Sequence, residues 1–296
     1  MKLSNQRQGE FFITAEIILW SMFPIIIQLS FSSVSPFTSL AISSLFAAAF
    51  FACIMTIRNR WHELTNARAI RFAVISTFFI GVLYYLLYFL SLKFSSAGNI
   101  SILALSETFF SFLLFHVWKK EFIPKEHILG ATFILLGAVI VLAPNVKMLH
   151  IGDLLILIAA AIVPFGNFYV QKARKLISTE TIIFVRGIVG ALAIFLLSFL
   201  FHAASSLTSV FHSLPFLATN GVVIQGIAAI FWIEGIHRIP VAKANALSAL
   251  GPLMTLLLAW MVFKTTPTAW QLLALVPMFF GVILISKKAN KDKMVN

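Results

Sequence analysis

Two glutamates and one arginine stand inside stretches otherwise free of charge, and the chemistry of this chain is to be sought there first. Glu107 falls near the middle of the apolar run 100–118, flanked by Ser106 and Ser111. A carboxyl at that depth is costly unless it faces a cavity, a polar partner or water. It suits a group that binds a cation or takes up and releases a proton during transport, and its structural alternative is a protonated carboxyl bonded to a neighbouring helix. Glu16, about 8 Å of helix rise inside the first apolar run, offers the same two uses, or else reaches back to water beside Arg7 or Lys2. Arg186 is the only arginine well inside a run. Its guanidinium keeps its proton, so it can clasp a carboxylate or phosphate, pair with Glu16 or Glu107, or extend toward a basic loop.

Weaker polar and aromatic candidates surround these three. Trp20, Asn167, Tyr169, Asn220, Gln225, Asn245 and Ser248 are the polar or aromatic surface that a mid-membrane pocket requires. Pro24 and Pro164 fall at similar places in two runs, where interrupted backbone pairing permits a hinge. Glu234 stands four residues before Arg238, the favourable order for a local helical ion pair, and is read as structural. Tyr84 and Tyr88 share a helix face and are read as packing or anchoring residues.

The elements that hold these groups follow from composition. Of 296 residues, 60% are hydrophobic and 11% charged, against about 25% charged in a soluble domain. The apolar residues gather in long runs, and in hydrocarbon such runs can pair their backbone groups internally only as helices. Ten spans are predicted: Phe11–Leu29, Phe37–Ile57, Phe72–Leu92, Ile100–Trp118, Ile128–Ala143, Leu154–Val170, Thr181–Leu200, Leu214–Ile236, Ala244–Phe263 and Trp270–Ile285. The expected fold is therefore an all-α integral membrane protein. With the N-terminus inside, eighteen lysines and arginines fall on the inner side and three on the outer, so the positive-inside rule places both termini in the cytoplasm.

The formal charge of +12 is spread over short loops and the tail, which argues for membrane topology and against a nucleic-acid partner. Cys53 is the only cysteine, excluding intramolecular disulfides. There is no P-loop, no dinucleotide-binding glycine pattern and no His-Glu-x-x-His, so no enzyme activity, cofactor or metal is expected.

A shift of 144 residues lays 100–118 on 244–262 and 128–143 on 272–287 without a gap, bringing Gly137 onto Gly281. Repeats of five spans, expected over 1–149 and 150–296, enter the membrane from opposite sides because five is odd. Inverted repeats are a common build for secondary carriers with a site near the midplane.

The stretch Tyr88-Phe-Leu-Ser-Leu-Lys-Phe-Ser-Ser-Ala-Gly-Asn-Ile-Ser, then Leu105-Ser-Glu-Thr-Phe and Leu129-Gly-Ala-Thr-Phe-Ile-Leu-Leu-Gly-Ala, resembles the EamA-like branch of the drug/metabolite transporter superfamily. In the second copy Gly235-Ile-His-Arg-Ile-Pro, Leu250-Gly-Pro-Leu and Phe280-Gly-Val-Ile-Leu resemble it again. The family's Glu-Pro pair in the fourth and ninth spans is divided here: the first copy keeps Glu107 but has Thr108, and the second has Gly251 and keeps Pro252. The resemblance implies a ten-helix carrier in a bacterial inner membrane. Its partners would be the lipid bilayer, a small metabolite and a proton or counter-substrate. A mixed-sign site of Glu107, Arg186 and Glu16 points to a zwitterion such as an amino acid; acidic and aromatic groups alone would suit a multidrug or S-adenosyl-compound carrier. A membrane receptor or scaffold that transports nothing is the reading from another class.

Overall fold

A computed structural model describes residues 5–119, 125–143, 150–239, 244 and 247–286. These residues are mostly helical, with short turns and loops between the helices and no strand among them. Eight helices are long and apolar enough to cross a membrane: α1 (Gln6–Ser30), α2 (Pro36–Ile57), α3 (Ala67–Phe94), α4 (Ala97–Leu114), α5 (Lys125–Leu142), α6 (Ile151–Arg174), α7 (Thr179–Leu200) and α8 (Leu207–Arg238). Two shorter apolar helices, α9 (Gly251–Phe263) and α10 (Ala269–Ile285), bring those among the described residues to ten. Each predicted span overlaps one of these helices, most of which run a few residues past it; the ninth, expected from Ala244, is continuous only over Gly251–Phe263, after a turn at Ala249 and Leu250.

The packing repeats itself under exchange of halves. Helix α2 lies along α7, α5 along α10 and α4 against α9, each pair being its own image. The contacts of α1 with α8 become those of α6 with α3. Small residues permit the close approaches: a Cβ on Gly281 would lie 2.6 Å from the carbonyl oxygen of Gly130, and one on Gly130 would lie 2.7 Å from that of Gly281.

Several helices depart from α geometry at matched places. Ser76 and Thr77 both donate their hydroxyls to the Ala73 carbonyl, at 2.7 and 2.8 Å. That competes with the backbone ladder, and α3 widens to π geometry over Thr77–Tyr84. In α8 the same widening covers Thr219–Ala228, after Pro215, which has no N–H to give. Under the 144-residue shift the first segment falls on 221–228, inside the second and ending with it. The turn at Leu105 that interrupts α4 likewise falls on the turn at Ala249 and Leu250 that precedes α9. Helix α1 breaks at Met22, just before Pro24, and Thr255 donates to the Ser21 carbonyl at 3.0 Å. Pro164, expected as a second hinge, lies inside uninterrupted α6.

Most lysines and arginines flank the N-terminal end of α1 and the helix ends on that side, here termed the basic face. At this face the loop helix Trp61–Thr65 locks onto the start of α7. The Glu63 carboxylate accepts from the Ser178 N–H at 2.8 Å, the Ser178 hydroxyl at 2.7 Å and the Thr181 hydroxyl at 2.6 Å, with Arg60 at 3.3 Å. Burial alone would raise its proton affinity. The hydrogen bonds from Thr181 and Ser178, helped by the Arg60 charge, outweigh that and hold Glu63 below its ordinary 4.5. The stability it contributes is therefore present at neutral pH and is lost as pH falls below 4.5 through the depressed value. Glu63→Gln is expected to lower the midpoint of thermal unfolding at pH 7 and to make little difference at pH 3, checked by parallel melts in detergent.

At the opposite face the equivalent junction is neutral. Ser35 donates to the Ala203 carbonyl at 2.5 Å, and the Ser205 N–H donates to Thr38 at 3.1 Å. Helices α2 and α7 thus begin with the same Ser-x-x-Thr arrangement, Ser35 with Thr38 and Ser178 with Thr181, each caught by a loop of the other half.

Candidate functional site

Breaks in α1, α4 and before α9 surround one cavity of about 620 Å³, a size suited to a small organic ligand. Helix α1 contributes Glu16, Trp20, Ser21 and Pro24, and α3 contributes Tyr84 and Tyr88. Helix α4 supplies the longest wall, including Leu105, Glu107, Thr108, Ser111 and Phe112. Ser248, Gly251, Pro252 and Thr255 close the far side. His127 near the start of α5, Trp232 in α8 and Ile285 at the end of α10 line it toward the basic face. Toward the opposite face the fully buried side chains of Phe23, Phe89, Ile100 and Leu103 fill the bundle.

The divided Glu-Pro motif is reassembled here. Glu107, Thr108, Gly251 and Pro252 line one volume although about 144 residues separate them, because each pair follows its own helix interruption. Gly251 has nothing within 4 Å of where a Cβ would be. A Cβ can be added there without meeting any protein atom, at a position that lines the cavity. Gly251→Leu is expected to leave thermal stability nearly unchanged while reducing transport about tenfold or more, read as vesicle flux beside a melting curve.

Trp20 forms the aromatic part with its neighbours. Its ring stacks on Phe23 at 4.9 Å with a 14° interplanar angle, and Phe23 meets Tyr88 at 5.1 Å. Tyr84 lies 5.8 Å from Tyr88. The tyrosines read as packing residues therefore serve as lining too. Glu16 and Glu107 remain partly accessible within the cavity, and Asn167 on α6, which is not a lining residue, lies near the Glu107 carboxyl. The Ser248 hydroxyl is buried without a hydrogen-bond partner among the described residues, which leaves it available to a ligand.

Arg186 is elsewhere. It extends from α7 across Gly81 of α3, where a Cβ would meet its Cγ at 2.9 Å, and its guanidinium associates with the Tyr85 phenol. No ion pair joins it to Glu16 or Glu107 among the described residues. Asn220 and Gln225 lie in the π segment of α8 and Tyr169 packs on Phe79 of α3; none of the three lines the cavity. Asn245 lies outside the described residues. Glu234 bonds Arg238 at 2.5 Å, the local pair its spacing predicts. Among the described lining residues there is no lysine or arginine. The cavity joins carboxyls, hydroxyls and aromatic faces, a combination that attracts a positively charged group attached to a flat or apolar body.

Sequence reasoning missed His127, Phe112, Trp232 and Thr255. The repeat register held a usable signal for one of them: Ser111, already noted beside Glu107, falls on Thr255 under the same shift.

No curated protein matches this chain. A crystal structure of another protein superposes with a TM-score of 0.67, covering 95% of this chain and 97% of that one at 19% identity, which establishes a shared fold. A sequence profile for the EamA-like transporter family matches twice in tandem, over residues 7–143 and 150–287. With ten apolar helices in two equivalent halves and a cavity between them, the chain belongs to the EamA-like transporter family, a membrane transporter of the drug/metabolite superfamily.

Proposed function

We propose that this protein is a secondary carrier for a small organic cation with a flat ring system, of the multidrug or S-adenosyl type, working by alternating access. The observation that carries the reading is the cavity's charge: two carboxyls, Glu16 and Glu107, with no arginine or lysine among its described lining. Glu107 binds the positive centre of the substrate or, in the empty carrier, a proton. Trp20, Tyr84 and Tyr88 hold the ring. Charge distribution along the loops supports placing the basic face, and both termini, in the cytoplasm of a bacterial cell. The cavity lining reaches toward that face.

The zwitterionic reading, an amino acid or a relative, depended on Arg186 as the partner of the carboxylate. With Arg186 packed between α3 and α7, one observation still favours it. Gly251 and Pro252 place the first turn of α9 at the cavity, and the unpaired backbone N–H groups of a half-helix can receive a carboxylate.

The test is uptake into liposomes containing the purified protein, with labelled S-adenosyl compounds, a permanently charged aromatic cation and labelled amino acids, with and without an imposed pH gradient. Saturable flux of the cations, competed by one another and not by amino acids, is the expected result. Amino-acid flux that cations do not inhibit would replace the first reading with the second. Binding of these ligands without flux would point to a receptor.

A further inference from the structure

At the basic-face ends of α3 and α6, Lys172 stands among three aromatic rings. Its Nζ is 4.2 Å from the Phe168 ring centroid and 5.6 Å from those of Tyr169 and Phe72. Arg68 approaches the same Phe72 ring, its Cζ 6.0 Å from the centroid. Two cations thus share one ring. Among the described residues no carboxylate forms an ion pair with either cation: the ion pairs there join Arg58 to Glu180, Arg60 to Glu63 and Arg238 to Glu234. Glu63, in the loop before α3, and Glu180, at the start of α7 just after α6, are thereby occupied, and the cation–π contacts fix the Lys172 ammonium without cancelling its charge.

Beneath the cations the rings continue into the membrane. Phe72 meets Tyr169 at 6.3 Å, Tyr169 stacks on Phe79 at 6.3 Å with a 4° interplanar angle, and Phe79 stacks on Phe165 at 5.9 Å. The outer side of this ladder is exposed at Phe165 (38%) and at neighbouring Phe78 (54%). Two cations with no ion pair among the described residues, at the interface above an exposed apolar ladder, match the build of an anionic amphiphile, its phosphate at the top and an acyl chain along the rings.

We infer that the crevice between the basic-face ends of α3 and α6 is a binding site for an anionic phospholipid, with Lys172 and Arg68 holding the headgroup phosphate. A soluble phosphate would use the cations alone; the ladder assigns the occupant to lipid. Basic pockets between transmembrane helices are suited to such headgroups. The site lies on the outer surface of the bundle, and its existence does not depend on what the central cavity carries.

The experiment is native mass spectrometry of the full-length protein released from detergent after titration with phosphatidylglycerol or phosphatidylcholine. The wild type is expected to retain phosphatidylglycerol with about tenfold preference. In Arg68→Gln/Lys172→Gln the preference should fall to within about twofold. Arg174→Gln/Lys175→Gln makes the same charge change at exposed positions outside the aromatic cluster and should keep it. Monodispersity and helical circular dichroism are checked for each variant, and Lys172→Gln alone serves if the double variant does not fold. Equal retention of both lipids by the wild type, or equal loss of preference in both double variants, would overturn the site. So would displacement of the lipid by inorganic phosphate.

Discussion

Glu107→Gln is expected to abolish cation uptake driven by a pH gradient and to leave the fold intact. Glutamine keeps the shape and can still face the Asn167 amide but has neither a negative charge nor a proton to exchange. Losing a charged hydrogen bond in a low-dielectric site costs about 3 kcal/mol, roughly a hundredfold in affinity. The measurement is concentrative uptake in proteoliposomes at several imposed gradients, with equilibrium binding on the same preparation. Uptake that still follows the gradient in Glu107→Gln would remove Glu107 from both roles and transfer them to Glu16. Loss of concentrative uptake with retained binding would restrict Glu107 to coupling.

The second large effect is on stability. Gly281→Val should destabilise the bundle by about 3 kcal/mol, the upper part of the range for overpacking. Its Cβ would fall 2.6 Å from the Gly130 carbonyl oxygen and 2.7 Å from Ile134 Cγ1. The first of these is backbone, so it cannot turn aside and α10 must move away from α5. Gly137, the repeat partner of Gly281, meets the same helix pair, its Cβ position 2.3 Å from Met278 Cγ. The methionine can yield, whereas the Ala274 carbonyl oxygen, 2.9 Å from the same position, cannot; it is still farther off than the Gly130 oxygen is from Gly281 (2.6 Å), so Gly137→Ala should cost less than Gly281→Ala. Comparing melting temperatures of the two alanine variants in detergent checks the order, and equal losses would show that the backbone contact does not limit the approach.

Much of the architecture could be read from the chain because its physics is local. An apolar run long enough to cross the bilayer must be a helix, and the ungapped shift that aligns 100–118 with 244–262 carries the internal symmetry. Glu16, Glu107, Trp20 and Ser248 were found by the cost or rarity of such groups in lipid, and the fold brings all four to one cavity. Arg186 was found by the same reasoning, but it is accommodated beside Gly81 and Tyr85, between α3 and α7. Whether a polar residue faces a pocket or a neighbouring helix depends on helix rotation, and runs this uniformly apolar give no amphipathic phase from which to read it. The interruptions were equally hidden. Leu105 has no proline near it, and the widened turn of α3 follows from two adjacent hydroxyls, Ser76 and Thr77, sharing the Ala73 carbonyl.

The widened turns of α3 and α8 have a practical consequence for mapping either helix by chemical labelling. A π turn adds a residue to the count, so the angular phase slips by about 100° across it. Residues before Thr77 and after Tyr84 do not lie on one continuous helical wheel, and the same holds either side of Thr219–Ala228. A cysteine scan plotted on an unbroken wheel would assign Tyr88 and Trp232, both cavity residues, to the wrong side of their helices. Each half must be phased separately, from its own buried positions.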